Sequence, residues 1–244
     1  KTWYDQSVTN EAGDTATGHH AVQATAANQP KIVNAGSLVA DSGIDFDGSN
    51  FLAATPVSGL EGSFSMFATS VRDSGSGYVV SISKSAANNR YFAIQEGGSA
   101  SNAVPRNSTS GVSASDSVSG STRLTFALTT SSTSTSAGAL GSAVTTTTDD
   151  YGDNFISNSG MNQIAIGLLR TVNPTGFFSG RIREILVYTS DQTANRTALE
   201  ANIGEAYSID LPSGVDPGFD QVDGFVETWY DQSGNNRPLI QTTA

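Results

Sequence analysis

Over most of this chain apolar residues alternate with Ser, Thr or Asn, in short runs closed off by Gly, Asn or Asp. A period of two is the signature of a strand with one face against a core, and runs this short leave little room for long helices. The predicted strands are "HAVQA" (20–24), "GIDFDG" (43–48), "FLAATPV" (51–57), "SFSMFATSVRD" (63–73), "GYVVSISKS" (77–85), "RYFAIQEG" (90–97), "TRLTFALTTSS" (122–132), "NQIAIGLL" (162–169) and "GRIREILVYT" (180–189). Within 63–73, Phe64, Met66 and Ala68 fall on one face and Ser63, Ser65 and Phe67 on the other, which predicts one packed and one wetter face. From 107 to 148 Ser and Thr dominate, broken by Leu124, Phe126 and Leu128, and this stretch reads as exposed strands and loops. Many antiparallel strands with a turn signal every residue decade or so give an all-β fold, a sandwich or jelly roll of two sheets.

One segment departs from the pattern. "SDQTANRTALEANIGEAYSI" (190–209) offers Ser190 or Asp191 as an N-cap, then Leu199, Ile203, Ala206 and Tyr207 at helical spacing. This predicts a short amphipathic helix laid on the sandwich. Gly204 weakens it by up to ~1 kcal/mol relative to Ala, so tertiary packing has to supply its stability. After it, "LPSGVDPGFDQVDG" (211–224) has no periodicity and reads as a linker.

Composition excludes several functions. The chain has 244 residues, enough for one large all-β domain, and its 23 acidic residues against 12 Lys and Arg give a net charge of −11. Such a balance repels phosphate backbones and anionic membranes, so neither nucleic acid nor membrane insertion is expected. No apolar run approaches the ~20 residues of a bilayer crossing. Lys1 and Thr2 lead straight into an aromatic, strand-like stretch, so no leader is read here. Zero Cys removes disulfides, thiolate metal sites and a Cys nucleophile, while leaving the compartment open. Few Lys, 25 Gly and abundant Ser, Thr and Asn resemble the surfaces of adhesins and virion fibres more than that of a metabolic enzyme.

The hexapeptide "TWYDQS" occurs twice, at 2–7 and at 228–233. Trp3 maps to Trp229, an offset of 226, and Gln23 to Gln241, an offset of 218, so the first copy carries eight additional residues (226 minus 218) between matched flanks. A hairpin whose loop changes length while its strands persist behaves as a structural unit, because loop insertions are thermodynamically cheap. The simplest account is a tandem array: 1–210 is one repeat, 211–224 a linker, and 225–244 the first hairpin of a following repeat or a strand packing back on the sandwich.

These residues also carry a family resemblance. "TWYDQSGNN" with "QTTA", and "QATAANQPKIVNAG" with "IDFDGSNFLAA", resemble the opening of a concanavalin A-like lectin/glucanase (laminin-G-like) domain. That family includes domains of bacteriophage virion proteins and is related to the catalytic domain of fungal α-L-arabinofuranosidases of the B type. "GFFSGRIREILVYTSDQTANRTALEANIGEAYSI" is similar to the closing strand and helix of the superfamily. The resemblance brackets 2–209 and implies a concanavalin A-like jelly roll with one short C-terminal helix. Glycan binding, glycan hydrolysis or a structural role are all implied as options, and fold does not choose among them.

Hydrolysis of a glycosidic bond needs two carboxyl groups about 5 to 9.5 Å apart. The acidic candidates are Asp5, Asp45, Asp47, Glu96 and Glu184, and the sequence pairs no two of them, so no catalytic residue is assigned and the reading leans away from an enzyme. Tyr4 and Gln6 are candidate sugar contacts, since an aromatic ring can stack on a sugar and an amide can bond its hydroxyls. Neighbours in a strand point to opposite faces, however, and the plainer role of Trp3, Asp5, Trp229 and Asp231 is structural: Trp in the core, Asp at the following turn. "DDYGDN" (149–154) sets Asp149, Asp150 and Asp153 around a Gly, hard oxygen ligands of a kind that Ca²⁺ accepts. His19 and His20 have no partner at zinc-ligand spacing and read as an exposed hairpin tip. Glycines such as those of "EGGSA" (96–100) read as turns and cradle no phosphate. The expectation is a structural and adhesive repeat module of an extracellular or virion protein. Its partners would be neighbouring repeats or subunits and surface glycans; a calcium-assisted lectin and a glycan hydrolase are the alternatives.

Overall fold

The computed structural model describes residues 2–3, 19–39, 43–54, 60, 62–84, 87–107, 113–130, 134–148, 161–170, 173–212, 228–229 and 239–240. Its strands are β1 (Thr2–Trp3), β2 (Ala21–Val22), β3 (Val33–Asn34), β4 (Ser37–Leu38), β5 (Ile44–Asp47), β6 (Leu52–Ala54), β7 (Phe64–Arg72), β8 (Gly77–Ser83) and β9 (Arg90–Glu96). Then come β10 (Ala100–Asn107), β11 (Ala114–Ser117), β12 (Thr122–Thr130), β13 (Ser134–Ala139), β14 (Thr145–Thr148), β15 (Gln163–Ile166) and β16 (Ser179–Tyr188). Helix α1 (Arg196–Tyr207) follows, and β17 (Thr228–Trp229) with β18 (Leu239–Ile240) ends the series.

An eight-stranded sheet in the order β1-β2-β6-β15-β8-β9-β10-β11 faces a six-stranded sheet in the order β14-β13-β12-β7-β16-β5. From β5 onward the chain crosses repeatedly from one sheet to the other, the connectivity of a jelly roll. The inner faces meet in a core that includes Phe46, Phe64, Met66, Ile82, Phe92, Ile94, Phe178 and Ile182, all buried. Trp3 is half-buried and packs against this core. At one margin β11 is tied across to the other sheet: the Asp116 carboxylate accepts from Ala139 N at 2.8 Å and from the Ser142 hydroxyl.

Two expectations about exposure are corrected. The wetter face foreseen for 63–73 is dry, because Phe67 packs with Phe126, its ring centroid 5.0 Å away, under residues of the helix region, Ile203 and Ile209. The stretch read as exposed, 107–148, contains β13, whose Thr135 to Ala139 are buried, and buried Thr125 and Thr129 on β12. Small Ser, Thr, Ala and Gly side chains leave room here for what packs over them, which polarity alone does not reveal. Gly138 shows it directly: a Cβ there would stand 2.4 Å from Nη2 of Arg196.

The helix begins later than the sequence suggested. A 3-10 turn, Thr193–Asn195, comes first, with Gln192 as its N-cap and Thr193 donating to the Asp191 carboxylate from N at 2.8 Å and from Oγ1 at 2.6 Å, and α1 starts at Arg196 after the N-cap Asn195. Ile203 is buried and Leu199 and Tyr207 pack on the same apolar cluster, whereas Ala206 faces solvent; Glu200, Ala201 and Gly204 are buried instead. Gly204 has a packing reason, since a Cβ there would lie 2.9 Å from Leu211 Cδ1 and 3.2 Å from Ile209 O. The helix ends at Ser208, left-handed at φ 52°, so that Ile209 N reaches Gly204 O at 2.8 Å.

The two sequence copies form the same ladder. Thr2 pairs with Val22 and Trp3 with Ala21; Thr228 pairs with Ile240 and Trp229 with Leu239. The offsets of 226 and 218 read from the sequence relate these pairs strand by strand. In the first copy β2 continues into the eight-stranded sheet through Val22 and Ala53, while β17 and β18 form a two-stranded sheet of their own among the described residues.

Candidate functional site

The outer face of the eight-stranded sheet carries the side chains that packing least explains. Residues 167–170 and 173–176 lie across it as a strap, closed by an isolated bridge between Leu169 and Thr175. Hydroxyls and an amide beneath hold the strap's carbonyls: Ser81 Oγ donates to Leu168 O at 2.9 Å, Gln163 Nε2 to Arg170 O at 2.7 Å, and the Ser83 hydroxyl to the same oxygen. These buried polar groups are satisfied, which is why an alternating strand can keep Ser81 and Ser83 at zero exposure. Gly176, at φ +61°, turns the strap back against Tyr78, where a Cβ would stand 2.6 Å from the ring.

Beyond the strap lies an open shelf. The register puts Tyr78, Gln95, Asn102 and Ser115 in one row across β8 to β11, Ala93 and Val104 in the next, and Tyr91 and Arg106 in a third. Tyr91 and Ala93 are buried with Leu169 of the strap, and Tyr78 and Val104 pack against them. Gln95, Asn102, Val104 and Arg106 are half-buried. The Tyr78 and Tyr91 rings meet edge-on at 6.3 Å and their phenols share a hydrogen bond. Burial pushes the Tyr78 phenol up, Tyr91 adds to the shift and Arg106 opposes it, so Tyr78 is a neutral hydroxyl at any physiological pH. β11 covers β10 only from Ala100 to Ala103. Pro105, with no N–H to offer, lies past the last pair, and among the described residues Val104 to Asn107 have no partner on that side. The shelf thus combines aromatic edges, two amides and a guanidinium on rigid strands.

The described acids of the hydrolase reading are not assembled for that work. Glu96 is fully buried between the sheets, where Thr125 Oγ1 donates to it at 2.6 Å, Ser101 Oγ at 2.7 Å, and Arg123 Nε stands 3.1 Å away. Burial pushes its carboxyl up, against the two hydroxyls and the guanidinium. Glu184 lies on the helix side, raised by burial and held by the Tyr207 hydroxyl. Asp45 and Asp47 share the outer face of β5, but Ser49 donates to Asp47 from Oγ at 2.6 Å and N at 3.0 Å and holds its carboxyl below the ordinary range, the wrong direction for a general acid. Tyr4, Asp5, Gln6, Asp149, Asp150, Asp153 and Asp231 lie outside the described residues, as does the Trp229 side chain. Among the described residues no group of three or more His, Asp or Glu could hold a metal ion. His19 and His20, read as an exposed tip, are half-buried beside β2. Nor does any described helix have the length and apolarity to cross a membrane.

The sequence did not point to Tyr78, Gln95, Asn102 or Arg106. Their signal was present in part: the polar phase of "GYVVSISKS" and "RYFAIQEG" contains two Tyr and a Gln where a plain outer face would carry Ser and Thr. β10, "ASNAVPRN", was hidden by its Pro.

No protein-family model matches the chain, and no curated protein sequence matches it. Solved structures match by fold. A structure of NanB with Optactamide has a TM-score of 0.53 at 15% identity, over 65% of this chain and 27% of that one. The binding domain of botulinum neurotoxin DC, in complex with rat synaptotagmin II, has a TM-score of 0.50 at 10% identity, over 75% of this chain and 46% of that one. The CBM40 of Ruminococcus gnavus IT-sialidase, bound to α2,3-sialyllactose, has a TM-score of 0.48 at 14% identity, over 57% and 81% of the two chains. At such identities the likeness is one of fold, and it agrees with the jelly-roll sandwich seen here.

Proposed function

We propose that this chain is an adhesive repeat module, a sandwich strung in series within an extracellular or virion assembly, that meets surface glycans on the shelf of its eight-stranded sheet. The observation that carries the glycan reading is the shelf itself: Tyr78, Gln95, Asn102 and Arg106 face outward on rigid strands where the core does not require them. An apolar ring edge beside a few fixed polar groups is the usual make-up of a small-ligand site. The serial arrangement is supported by the second "TWYDQS" hairpin, which repeats the pairing of the first. A fold neighbour being itself a binding domain is in keeping with this reading.

The test is an array of glycans probed with the whole chain, with and without EDTA, beside a Gln95→Ala, Asn102→Ala double variant. Binding that the double variant loses by about tenfold or more supports the shelf. Binding that survives the double variant but disappears with EDTA and with Asp150→Ala transfers the site to residues 149–154 and favours the calcium-assisted reading. No binding to any glycan leaves the module a spacer and sinks the adhesive part of the proposal.

A further inference from the structure

On this acidic protein the shelf carries a cation, Arg106. Against a net charge of −11, Arg106 shares the outer face with its cross-strand partner Tyr91, whereas Lys84 and Arg90 fall on the other phase of β8 and β9, with Ile82 and Phe92, and the Arg170 guanidinium lies 6.0 Å from the Phe51 ring, beside β6. Each of these four cations is half-buried. The described carboxylates sit elsewhere. Asp45 and Asp47 are on β5, Asp73 follows β7, Asp116 is bonded across to Ala139, and Glu184, Asp191, Glu200, Glu205 and Asp210 belong to the helix side. Among the described residues one acid, Glu96, lies on the shelf strands β8 to β10, and it is turned inward and held by Arg123. The adjoining stretches 85–89, 107–112 and 171–176 contain no Asp or Glu.

A cation with no described acid on its face is informative because the molecule as a whole repels anions. Arg106 makes no ion pair with a described carboxylate, and it lies close enough to Tyr78 to oppose the upward shift of that phenol. A guanidinium is planar and always charged, and it binds a carboxylate or sulfate through two parallel N–H donors. Placed one strand from Tyr91 and two residues from Val104, it completes a surface with an apolar part for a ring and a cationic part for an acid group.

We infer that the shelf takes an anionic glycan, a sugar chain bearing carboxylate or sulfate groups, with Arg106 on the acid group. This rests on the reading of the shelf as a glycan site.

The experiment compares matched sugars on one array, neutral, carboxylated and sulfated forms of the same backbones, at low and at near-physiological salt, with a DNA duplex as a second polyanion. The wild-type chain is expected to hold acidic forms at least about tenfold more tightly than neutral ones, and to lose that margin as salt rises. Arg106→Gln should remove the preference while Arg106→Lys keeps most of it, and Arg170→Gln, beside Phe51, should leave it unchanged; circular dichroism of each variant checks the fold. Whichever acidic form is retained identifies the acid group. Equal binding of neutral and acidic forms, or a preference untouched by Arg106→Gln, overturns the inference and leaves the shelf a glycan site. Binding of the duplex as tightly as of the acidic glycans overturns it in favour of a generic polyanion patch. If no glycan binds at all, the reading beneath it fails as well.

Discussion

On the six-stranded sheet the outer face is apolar and roofed: Phe67, Leu124, Phe126 and Leu128 meet Ile203 and Ile209, with Leu186 and Tyr188 packed alongside. On the eight-stranded sheet the outer face is polar, and what crosses it is a strap of backbone pinned by Ser81, Ser83 and Gln163. The two faces belong to the same sandwich, yet one is closed by burying hydrocarbon and the other by satisfying carbonyls. Burial is non-directional and covers a broad area, so the helix seals its sheet. Hydrogen bonds fix a narrow line, so the strap leaves Gln95, Asn102 and Arg106 reachable beside it. One face is closed to solvent and the other keeps polar side chains within reach of it.

Removing the roof should give the largest effect. Phe126→Ala is expected to cost about 3–5 kcal/mol, the range of a buried aromatic truncated in a packed cluster, read as a lower denaturation midpoint. A loss below ~1 kcal/mol would mean that the helix is not a true cover. Gln163→Ala, under the strap, is expected to cost about 1–3 kcal/mol by stripping a donor from Arg170 O. Its signature is local: amide exchange at Leu169, which bonds Thr175 O at 3.0 Å, should quicken before exchange in β7 does.

At the end of the helix, Ser208→Gly should raise stability by about 1 kcal/mol, since Ser208 occupies the left-handed region at φ 52°. No gain in melting temperature would show that the Ser side chain holds the cap. The gentlest effect is with pH. Burial pushes the Glu200 carboxyl above its ordinary 4.5, although Arg196 pulls it down with Nη2 at 2.9 Å from Oε1. The folded chain therefore binds the proton more readily than the unfolded one. That contribution to stability is full below about pH 4.5 and declines as pH rises through the folded value. Glu200→Gln should flatten this part of the stability profile, and an unchanged slope would assign it to Glu184 or Glu96, which burial raises likewise.

The roofed face was the more legible of the two. Its helix was readable from Leu199, Ile203 and Tyr207, because burial against a sheet imposes a period that survives in a single sequence. Its strands were readable too, apart from β13, where Gly138 and Ala137 pack by being small. The shelf was not legible, because its residues come from three strands and meet only through register, and register is a property of pairing across the sheet. The strap was missed for a related reason: its partners Ser81, Ser83 and Gln163 look like any polar phase of an alternating strand. Of the acids singled out, Glu96 and Glu184 turned out to be fixed by Arg123 and by Tyr207, contacts that no spacing encodes.

Pro105 bears on how such sandwiches live side by side. Where β11 stops, β10 runs on with no partner among the described residues, and a bare strand margin invites any like molecule to zip onto it. A proline in that stretch withholds one rung of the ladder, and Arg106 beside it sets like charge against like when two copies approach. A stretch built this way resists zipping onto a copy of itself, a safeguard that matters most wherever molecules are crowded together.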